Sequence, residues 1–307
     1  MRSERIGIAL ILIQQLLFTL DTAAIHCLAG SVSLWQLGLF RSIGGLVLAL
    51  CLAPSIGWAV IRTHHPILQL LRATVTVAYA WVLVYSFAVM PFADATAIGY
   101  TQAVYVVLLA PLLLGEIAGS RRFLAVFIGI FGALMVVKPG FSQASPIYIA
   151  VLAGTSLNAL AMILTKYLQR EDSAVTVMLY VNVACIVTFL PGVADPLPAA
   201  NTWPWLAVIC IAGPLGMYAG ILAVRYADVS TLAPYAYVRL VLAMAGAMLV
   251  FGEMPDLVSI TGVVCIVIAC VLVDRATVGS IVEWVSRRRV FKIDHQAARR
   301  PQDARQV

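Results

Sequence analysis

Apolar residues along this chain are gathered into ten runs, and proline, glycine and charged residues separate one run from the next. Each run has about 18 to 23 residues, and about 20 residues of helix cross the ~30 Å hydrocarbon core of a bilayer. Dividing the sequence at those separators predicts spans near residues 6–28, 33–53, 67–89, 95–114, 121–138, 146–168, 174–193, 203–225, 229–251 and 257–274. The pattern therefore predicts an all-α membrane protein with ten transmembrane helices.

Composition supports this prediction over the alternatives. Hydrophobic residues make up 62% of the chain and charged residues 11%, against about 45–50% and about 25% in a soluble domain. The helices of a soluble bundle would carry polar stripes, and membrane-spanning strands would be about ten residues long with alternating polarity. The first run is long for a cleaved signal peptide, and no small-x-small cleavage site follows it, so it is kept as a span.

Basic residues in the loops between the predicted spans predict the orientation of the protein. Lysine and arginine are retained on the cytoplasmic side of a membrane. Alternate loops hold Lys138 alone on one side, and on the other Arg2, Arg5, Arg62, Arg72, Arg121, Arg122, Lys166, Arg170 and Arg225. We therefore expect a multi-pass protein of the bacterial inner (plasma) membrane with both termini in the cytoplasm.

The C-terminal segment, residues 276–307, is a basic cytoplasmic tail in this topology and contains the run SRRRVFK. Basic residues close to a bilayer are attracted to anionic lipid. Nucleic-acid binding is the competing interpretation of such a run, but no folded basic domain accompanies it. We expect the tail to contact anionic lipid or to serve as a topology signal, and we expect no nucleic-acid partner.

One apolar segment of the sequence occurs twice. GYTQAVYVVLLAPLLLGE at residues 99–116 returns as AYVRLVLAMAGAMLVFGE at 236–253, an offset of 137 positions that also matches Lys138 with Arg275. The first copy ends the fourth span and the second ends the ninth, so the repeating unit has five spans. Because five is odd, the second unit is inverted in the membrane. This predicts two inverted five-helix repeats, residues 1–140 and 141–275, around a central cavity, as in many secondary transporters.

Each copy closes on Gly-Glu, which is typical of a tight hairpin. Glycine can end a helix in the left-handed conformation, and a following glutamate favours the positive N-terminus of the next helix. The two glutamates, Glu116 and Glu253, would face opposite sides of the membrane, so gating is the alternative interpretation.

Three segments together resemble the EamA branch of the drug/metabolite transporter superfamily. They are FADATA before the fourth span, LLLGE at its end and FIGIFGALMVVKPG afterwards, and the resemblance extends from residue 6 to about 275. It implies a basket in which spans one to four and six to nine surround a central cavity, with spans five and ten outside. Members of the family include exporters of amino acids and importers of vitamins or S-adenosylmethionine.

Charged side chains inside spans are candidates for the binding site, because a charge in the bilayer core is costly and usually faces a cavity or a partner. Asp21 and Arg41 lie at similar depths, about 11–12 Å below the outer edge by helix rise, and could pair. Such a pair either joins two helices or binds substrate or a proton, with Asp21 as the coupling carboxylate. Arg239 lies mid-span, and its repeat counterpart is Gln102. An arginine at this depth suits a carboxylate or phosphate, or else bonds a neighbouring helix.

Aromatic residues with polar tips lie deeper than the interfacial belts in which tyrosine and tryptophan usually gather. Together with a few polar groups they would line a site for a partly apolar metabolite, although helix packing is the alternative for each. The predicted substrate-binding residues, besides Arg239 and Gln102, are Tyr79, Tyr100, Tyr218, Tyr237 and Asn158.

Motifs of enzymatic chemistry are missing from the sequence. It has no G-K-[ST] of a P-loop, no H-E-x-x-H and no G-x-S-x-G, and its histidines and cysteines show no metal spacing. We therefore expect no catalytic residue, metal or cofactor. The resulting hypothesis is a secondary transporter of a small organic metabolite, foremost an exporter of amino acids or similar amphipathic compounds. Import of a vitamin or cofactor such as riboflavin or S-adenosylmethionine is the alternative, and an intramembrane enzyme or helper subunit is the alternative of another class.

Overall fold

The protein is helical throughout the residues that this computed structural model describes, which are 2–28, 30–57, 62–89, 92–116, 119–140, 146–251 and 256–273. The α-helices are α1 Arg2–Cys27, α2 Leu34–Ile56, α3 Pro66–Val89, α4 Phe92–Gly99, α5 Gln102–Leu114, α6 Ser120–Val137, α7 Pro146–Leu168, α8 Ala174–Phe189, α9 Trp203–Tyr226, α10 Val229–Leu232, α11 Val238–Phe251 and α12 Leu257–Val273. Three short 3-10 segments are Leu190–Val193, Ala200–Thr202 and Ala233–Tyr237.

The length and hydropathy of these segments are those of membrane spans. Eight described segments are long and apolar enough to cross a bilayer, and Pro66–Val82 and Leu257–Leu272 are shorter apolar helices. Large apolar side chains such as Leu112 and Ile149 point outward, 79% and 72% exposed, as lipid-facing side chains do. The predicted class, an all-α membrane protein, is confirmed. The count of ten spans and their division into residues 1–140 and 141–275 stay predictions.

Two of the predicted spans are not continuous α-helices, which corrects the prediction for residues 95–114 and 229–251. The first changes to a 3-10 turn between α4 and α5, where Thr101 N donates to Ile98 O at 2.9 Å. The Thr101 hydroxyl also donates to Ile98 O, at 2.6 Å, and such back-bonding competes with the regular α-helical ladder. The second runs from α10 through the 3-10 segment Ala233–Tyr237 into α11, with Pro234 near the start of that segment.

Helix pairing follows a symmetric scheme. The helix α1 packs against α9, α3 against α7, α2 against α8 and α6 against α12. If the two five-span units are exchanged, the α1–α9 pair becomes the α7–α3 pair, and the other two pairs map onto themselves. This is the packing expected of two halves related by a twofold axis.

The α6–α12 pair is held by a close backbone crossing. A Cβ on Gly132 would lie 2.5 Å from Gly262 O, so only glycine permits this approach. At one end of the pair Lys138 Nζ lies 2.5 Å from Asp256 Oδ2. Hydrogen bonds from Lys138 and Ser259 lower the pKa of Asp256 to about 2.

Loops and helix ends that carry most of the basic residues in the described part of the chain bond to one another at one end of the bundle, which we call the basic end. There Ser3 Oγ donates to Tyr226 O at 2.9 Å, and Lys166 Nζ donates to Ala227 O at 2.8 Å. The predicted cytoplasmic residues thus meet at one end, and Lys138 lies at the other.

Candidate functional site

Asp21 and Arg41 form an ion pair between α1 and α2, with Arg41 Nη2 3.3 Å from Asp21 Oδ2. Asp21 is almost fully buried, at 2% exposure, and its second oxygen, Oδ1, has no hydrogen-bond partner among the described residues. The sequence predicted that these residues lie at similar depth and could pair, and the structure places them in contact. One carboxylate oxygen is left to bind a proton or a ligand.

A glycine of α9 lets that helix pass directly beside the ion pair. A Cβ on Gly213 would lie 2.6 Å from Arg41 Nε and 2.9 Å from Asp21 Oδ1. Real Cβ atoms do not approach other atoms so closely, so any larger residue here would displace the Arg41 or Asp21 side chain. Gly213 was not predicted as a site residue, because nothing in the sequence pairs α9 with α1 and α2.

Arg239 reaches the same place from α11. Its Nη2 donates a hydrogen bond to Thr22 Oγ1 on α1, and its charge acts on the Asp21 carboxylate. The guanidinium carbons of Arg41 and Arg239 lie over the ring of Phe18, at 5.3 and 5.7 Å from its centre. Such cation–π contacts contribute about 0.5–2 kcal/mol each.

Phe18 and Thr22 were not predicted as site residues, although they are four positions apart on the helix that carries Asp21. Residues three and four apart share a helix face, and this spacing was the available signal. We call Phe18, Asp21, Thr22, Arg41 and Arg239 the arginine cluster. It contains two cations and one carboxylate, so it carries a net positive charge of one. Asp21 is buried, whereas the Arg41 side chain is 40% exposed and Arg239 is half-buried, so the excess cation is accessible to a ligand. A cation within a span attracts an anionic ligand group.

A second group of side chains, the tyrosine–amide cluster, adjoins the arginine cluster. It consists of Tyr79, Tyr100, Gln102, Asn158 and Tyr237. Asn158 Nδ2 donates to Gln102 Oε1 at 2.7 Å, and the Asn158 side chain also bonds the Tyr79 hydroxyl. The rings of Tyr100 and Tyr237 lie 5.8 Å apart, centre to centre. Tyr79 and Tyr100 both lie within electrostatic reach of Arg239.

Both interruptions of the spans supply residues to these clusters. Tyr100 and Gln102 lie at the α4–α5 junction, and Tyr237 and Arg239 lie at the junction into α11. Discontinuous helices near mid-membrane are a common way to expose backbone and polar side chains to a ligand. Gln102 bonds Asn158 of α7, whereas Arg239 bonds Thr22 of α1.

Tyr218 is the predicted site residue that the structure places elsewhere. It packs against an apolar cluster of α2, α7, α8 and α9 that includes Ala53, Leu168 and Met178. Its depth and residue type were right for a site, but the face of α9 on which it lies turns towards α8.

The Gly-Glu motif at the end of α5 joins distant parts of the chain at the basic end. Gly115 adopts the left-handed conformation expected of it, with φ of +68°. Glu116 was predicted to favour the next helix; instead it accepts hydrogen bonds from Val229 N, Ser230 N and Ser230 Oγ, at 2.7 to 3.1 Å, and so caps α10. Its copy Glu253 and the tail at residues 276–307 lie outside the described residues.

A cavity opens beside this motif at the basic end. Its volume is about 470 Å³, and it is lined by Leu114, Gly115, Glu116, Arg122, Lys166, Arg170 and Asp228. Arg122 Nη2 contacts Asp228 Oδ2 at 2.9 Å across it. This cavity is distinct from the predicted central cavity, which stays a prediction.

Comparison with known proteins supports the relation suggested by the sequence. The profile of the EamA-like transporter family matches residues 145–274. The pseudopaline exporter CntI of Pseudomonas aeruginosa is 24% identical over 277 residues, which cover 89% of this chain and 97% of the relative. The S-adenosylmethionine uptake transporter of Rickettsia bellii is 24% identical, covering 78% of this chain and 83% of the relative. The riboflavin transporter of Brucella anthropi is 26% identical, covering 74% and 81%.

A crystal structure shares the fold, with a TM-score of 0.77 at 16% identity, over 90% of this chain and 97% of that one. The helical fold and the charged groups between its helices define a multi-pass membrane protein with a polar interior. The match of residues 145–274 to the EamA-like transporter family and the names of the relatives support an EamA-type transporter of the drug/metabolite transporter superfamily. Its relatives are transporters and not enzymes, in agreement with the missing catalytic motifs.

Proposed function

We propose that the protein is a secondary transporter that moves a small amphipathic metabolite with an anionic group across the bacterial inner membrane, foremost an exporter of amino acids or similar compounds. The observation that carries this proposal is the arginine cluster, with two guanidinium groups and a single carboxylate. A carboxylate on the substrate would neutralise the excess positive charge. Arginine suits this role because its planar group can hold a carboxylate with two parallel hydrogen bonds.

The tyrosine–amide cluster would receive the rest of the substrate. The rings of Tyr79 and Tyr100 offer apolar surface, and the Gln102 and Asn158 amides offer hydrogen bonds at one wall. Tyr237 supports Tyr100 from behind, since it is fully buried and its hydroxyl donates to Val126 O on α6. Small-molecule sites generally combine a mainly apolar lining with a few oriented polar groups. The substrate would therefore have an apolar or aromatic body next to its anionic group.

The contacts of the basic end supply a gate for alternating access. Glu116 and Arg122 belong to the predicted first repeat, and their partners Asp228 to Ser230 belong to the second. We propose that the basic end faces the cytoplasm and is closed by these contacts. Opening it would separate the two repeats, with the 3-10 segments at Thr101 and Ala233–Tyr237 as hinges.

Asp21 is proposed as the coupling group. It is a buried carboxylate with one oxygen bound to Arg41 and the other without a partner among the described residues. A proton on Asp21 would weaken the pair with Arg41 and free that guanidinium for the substrate. The substrate and the proton would then act on the same ion pair, so that binding of one changes the affinity for the other.

Import of a vitamin or cofactor is the second candidate function. It is supported by the relatives whose names state uptake of S-adenosylmethionine or transport of riboflavin. The relative with the larger coverage is named an exporter. S-adenosylmethionine has a carboxylate that the arginine cluster could bind, whereas riboflavin has no anionic group and would depend on the tyrosine–amide cluster.

Counterflow in liposomes tests the proposal. Purified protein is reconstituted into vesicles loaded with unlabelled phenylalanine, and accumulation of labelled phenylalanine is competed with aromatic amino acids, riboflavin, S-adenosylmethionine and nucleosides. Accumulation that only amino acids compete supports the amino-acid proposal. Competition by riboflavin or S-adenosylmethionine supports the second candidate. Absence of counterflow for every compound, each tried as the labelled species, would overturn both.

A further inference from the structure

Arg72 is a buried cation without a counter-ion. It lies in the second turn of α3 at 6% exposure, and its Nε donates to Thr165 Oγ1 of α7 at 2.6 Å. Its Nη1 has no hydrogen-bond partner, and no carboxylate lies within 4 Å of the guanidinium in the described part of the chain. Arginine stays protonated in proteins, and an unpaired buried charge is costly, so we expect an anion to bind next to Arg72.

Two buried amides next to Arg72 also have atoms without partners. They are Gln69 Oε1 on α3 and both side-chain heteroatoms of Gln169, at 0% and 5% exposure. Arg72 bonds Thr165, and Gln69 bonds Asp172 at 2.8 Å, so α3 and α7 run side by side here in opposite directions. Gln169 directly follows α7, and its N donates to Thr165 O at 3.0 Å, so it continues the last helical turn between these two contacts.

Asp172 does not neutralise Arg72, because it is occupied from another direction. Its carboxylate accepts hydrogen bonds from the Thr63 hydroxyl, from His64 N at 3.0 Å and from Gln69 Nε2. Burial by itself raises the pKa of Asp172, but these hydrogen bonds hold that pKa below its usual range. The negative charge of Asp172 is therefore held by Thr63 and His64 in the loop before α3 and by Gln69 of α3, and not by Arg72.

Two hydrogen-bond donors without partners among the described residues, Arg72 Nη1 and Gln169 Nε2, determine which ligand the site can bind. We propose that Arg72 and Gln169 form a buried binding site for a small monovalent anion, either a halide or a carboxylate group, between α3 and α7. Arg72 Nη1 and Gln169 Nε2 donate to the anion. Thr165 accepts from Arg72 and donates to Ala161 O at 2.7 Å, so it positions the guanidinium. Water that accompanies the anion donates to the two amide oxygens.

This site is separate from the arginine cluster and does not depend on the proposed transport. Cys185 of α8 lies between the two regions, within electrostatic reach of both Arg41 and Arg72. An anion bound at Arg72 would therefore lie close to α8, which is also close to Arg41 of the arginine cluster.

Thermal unfolding of the purified full chain in detergent tests this site. The midpoint is measured at constant ionic strength in sodium gluconate, whose anion is too large for a buried site, and then in sodium chloride and in sodium acetate. A bound anion stabilises the folded state, and we expect the midpoint to rise by about 3 °C or more at saturating anion. A rise in chloride identifies a halide site, and a rise in acetate alone identifies a carboxylate site.

Variants assign the response to the site. Arg72→Gln and Gln169→Leu are both expected to lose the anion-dependent rise, whereas Arg225→Gln, an exposed arginine of α9, keeps it. If Arg72→Gln does not fold, Gln169→Leu decides, because removing an unpaired buried amide is tolerated. The proposal is overturned if neither anion raises the midpoint of the unchanged protein, or if the rise persists in either site variant.

Discussion

At the scale of single residues, the arginine cluster consists of three charged side chains and of the neutral side chains of Phe18 and Thr22 that contact them. Asp21, Arg41 and Arg239 were found because a charge within a span is rare and costly. Phe18 and Thr22 were missed, since phenylalanine and threonine are ordinary in a span and acquire a role only when Arg239 approaches from α11. Tyr218 was predicted for the opposite reason, because residue type and depth do not reveal which face of α9 it occupies.

Gly213→Ala is a direct test of the close contact between α9 and the ion pair. The added Cβ would lie 2.6 Å from Arg41 Nε and 2.9 Å from Asp21 Oδ1, so one of these two side chains must shift and the geometry of their contact changes. We expect at least a tenfold loss of transport with normal membrane abundance. The matched control is Gly246→Ala on α11, where no atom lies within 4 Å of the new Cβ. Equal activity of the two variants would contradict the packing described for Gly213.

Asp21→Asn tests the coupling role of the carboxylate. Asparagine keeps the size of the side chain but cannot gain and lose a proton near neutral pH. We expect the variant to lose any stimulation of transport by a pH gradient while it retains exchange of substrate between the two sides. The measurement compares uptake into vesicles with and without an imposed pH gradient. Stimulation equal to that of the unchanged protein would assign coupling to another group.

At the scale of secondary structure, apolar run length predicted the helices well. The described helices begin and end within four residues of the predicted bounds, because proline, glycine and charge mark the places where the chain leaves the hydrocarbon. The interruptions at Thr101 and Ala233–Tyr237 were not predicted. A 3-10 turn depends on local hydrogen bonds such as Thr101 to Ile98, and hydropathy does not register them.

Glu116→Gln tests the cap that joins α5 to α10. The carboxylate accepts three hydrogen bonds at the start of α10 and neutralises partial positive charge there. Its replacement is expected to remove about 1 kcal/mol and to lower the unfolding midpoint by about 2–4 °C. Glu4→Gln, which removes a charge from the first turn of α1 at the same end, measures the charge–dipole contribution alone, and Glu116→Gln is expected to lower the midpoint further. A midpoint unchanged in Glu116→Gln would contradict a stabilising cap.

At the scale of the whole molecule, the repeat in the sequence anticipated the symmetric pairing of helices. An offset of 137 residues relates Tyr100 to Tyr237 and Gln102 to Arg239, and these residues lie at corresponding interruptions. The repeat did not predict their partners, because the halves have diverged in chemistry: Gln102 bonds Asn158, while Arg239 bonds Thr22. The two repeat-related positions thus contribute an amide, Gln102, and a cation, Arg239, to neighbouring clusters.

We propose above that Arg239, with Arg41, selects substrates by their anionic group. It is tested most directly by counterflow of labelled phenylalanine competed with unlabelled phenylalanine or with phenylalaninamide, which lacks the carboxylate. Loss of a buried charge contact costs about 2 kcal/mol or more, so phenylalanine should compete at least about thirtyfold better. In Arg239→Gln that preference should fall to a few-fold, and Arg225→Gln should keep it. Equal competition by both compounds, or an unchanged preference in Arg239→Gln, would show that Arg239 does not select substrates by their anionic group.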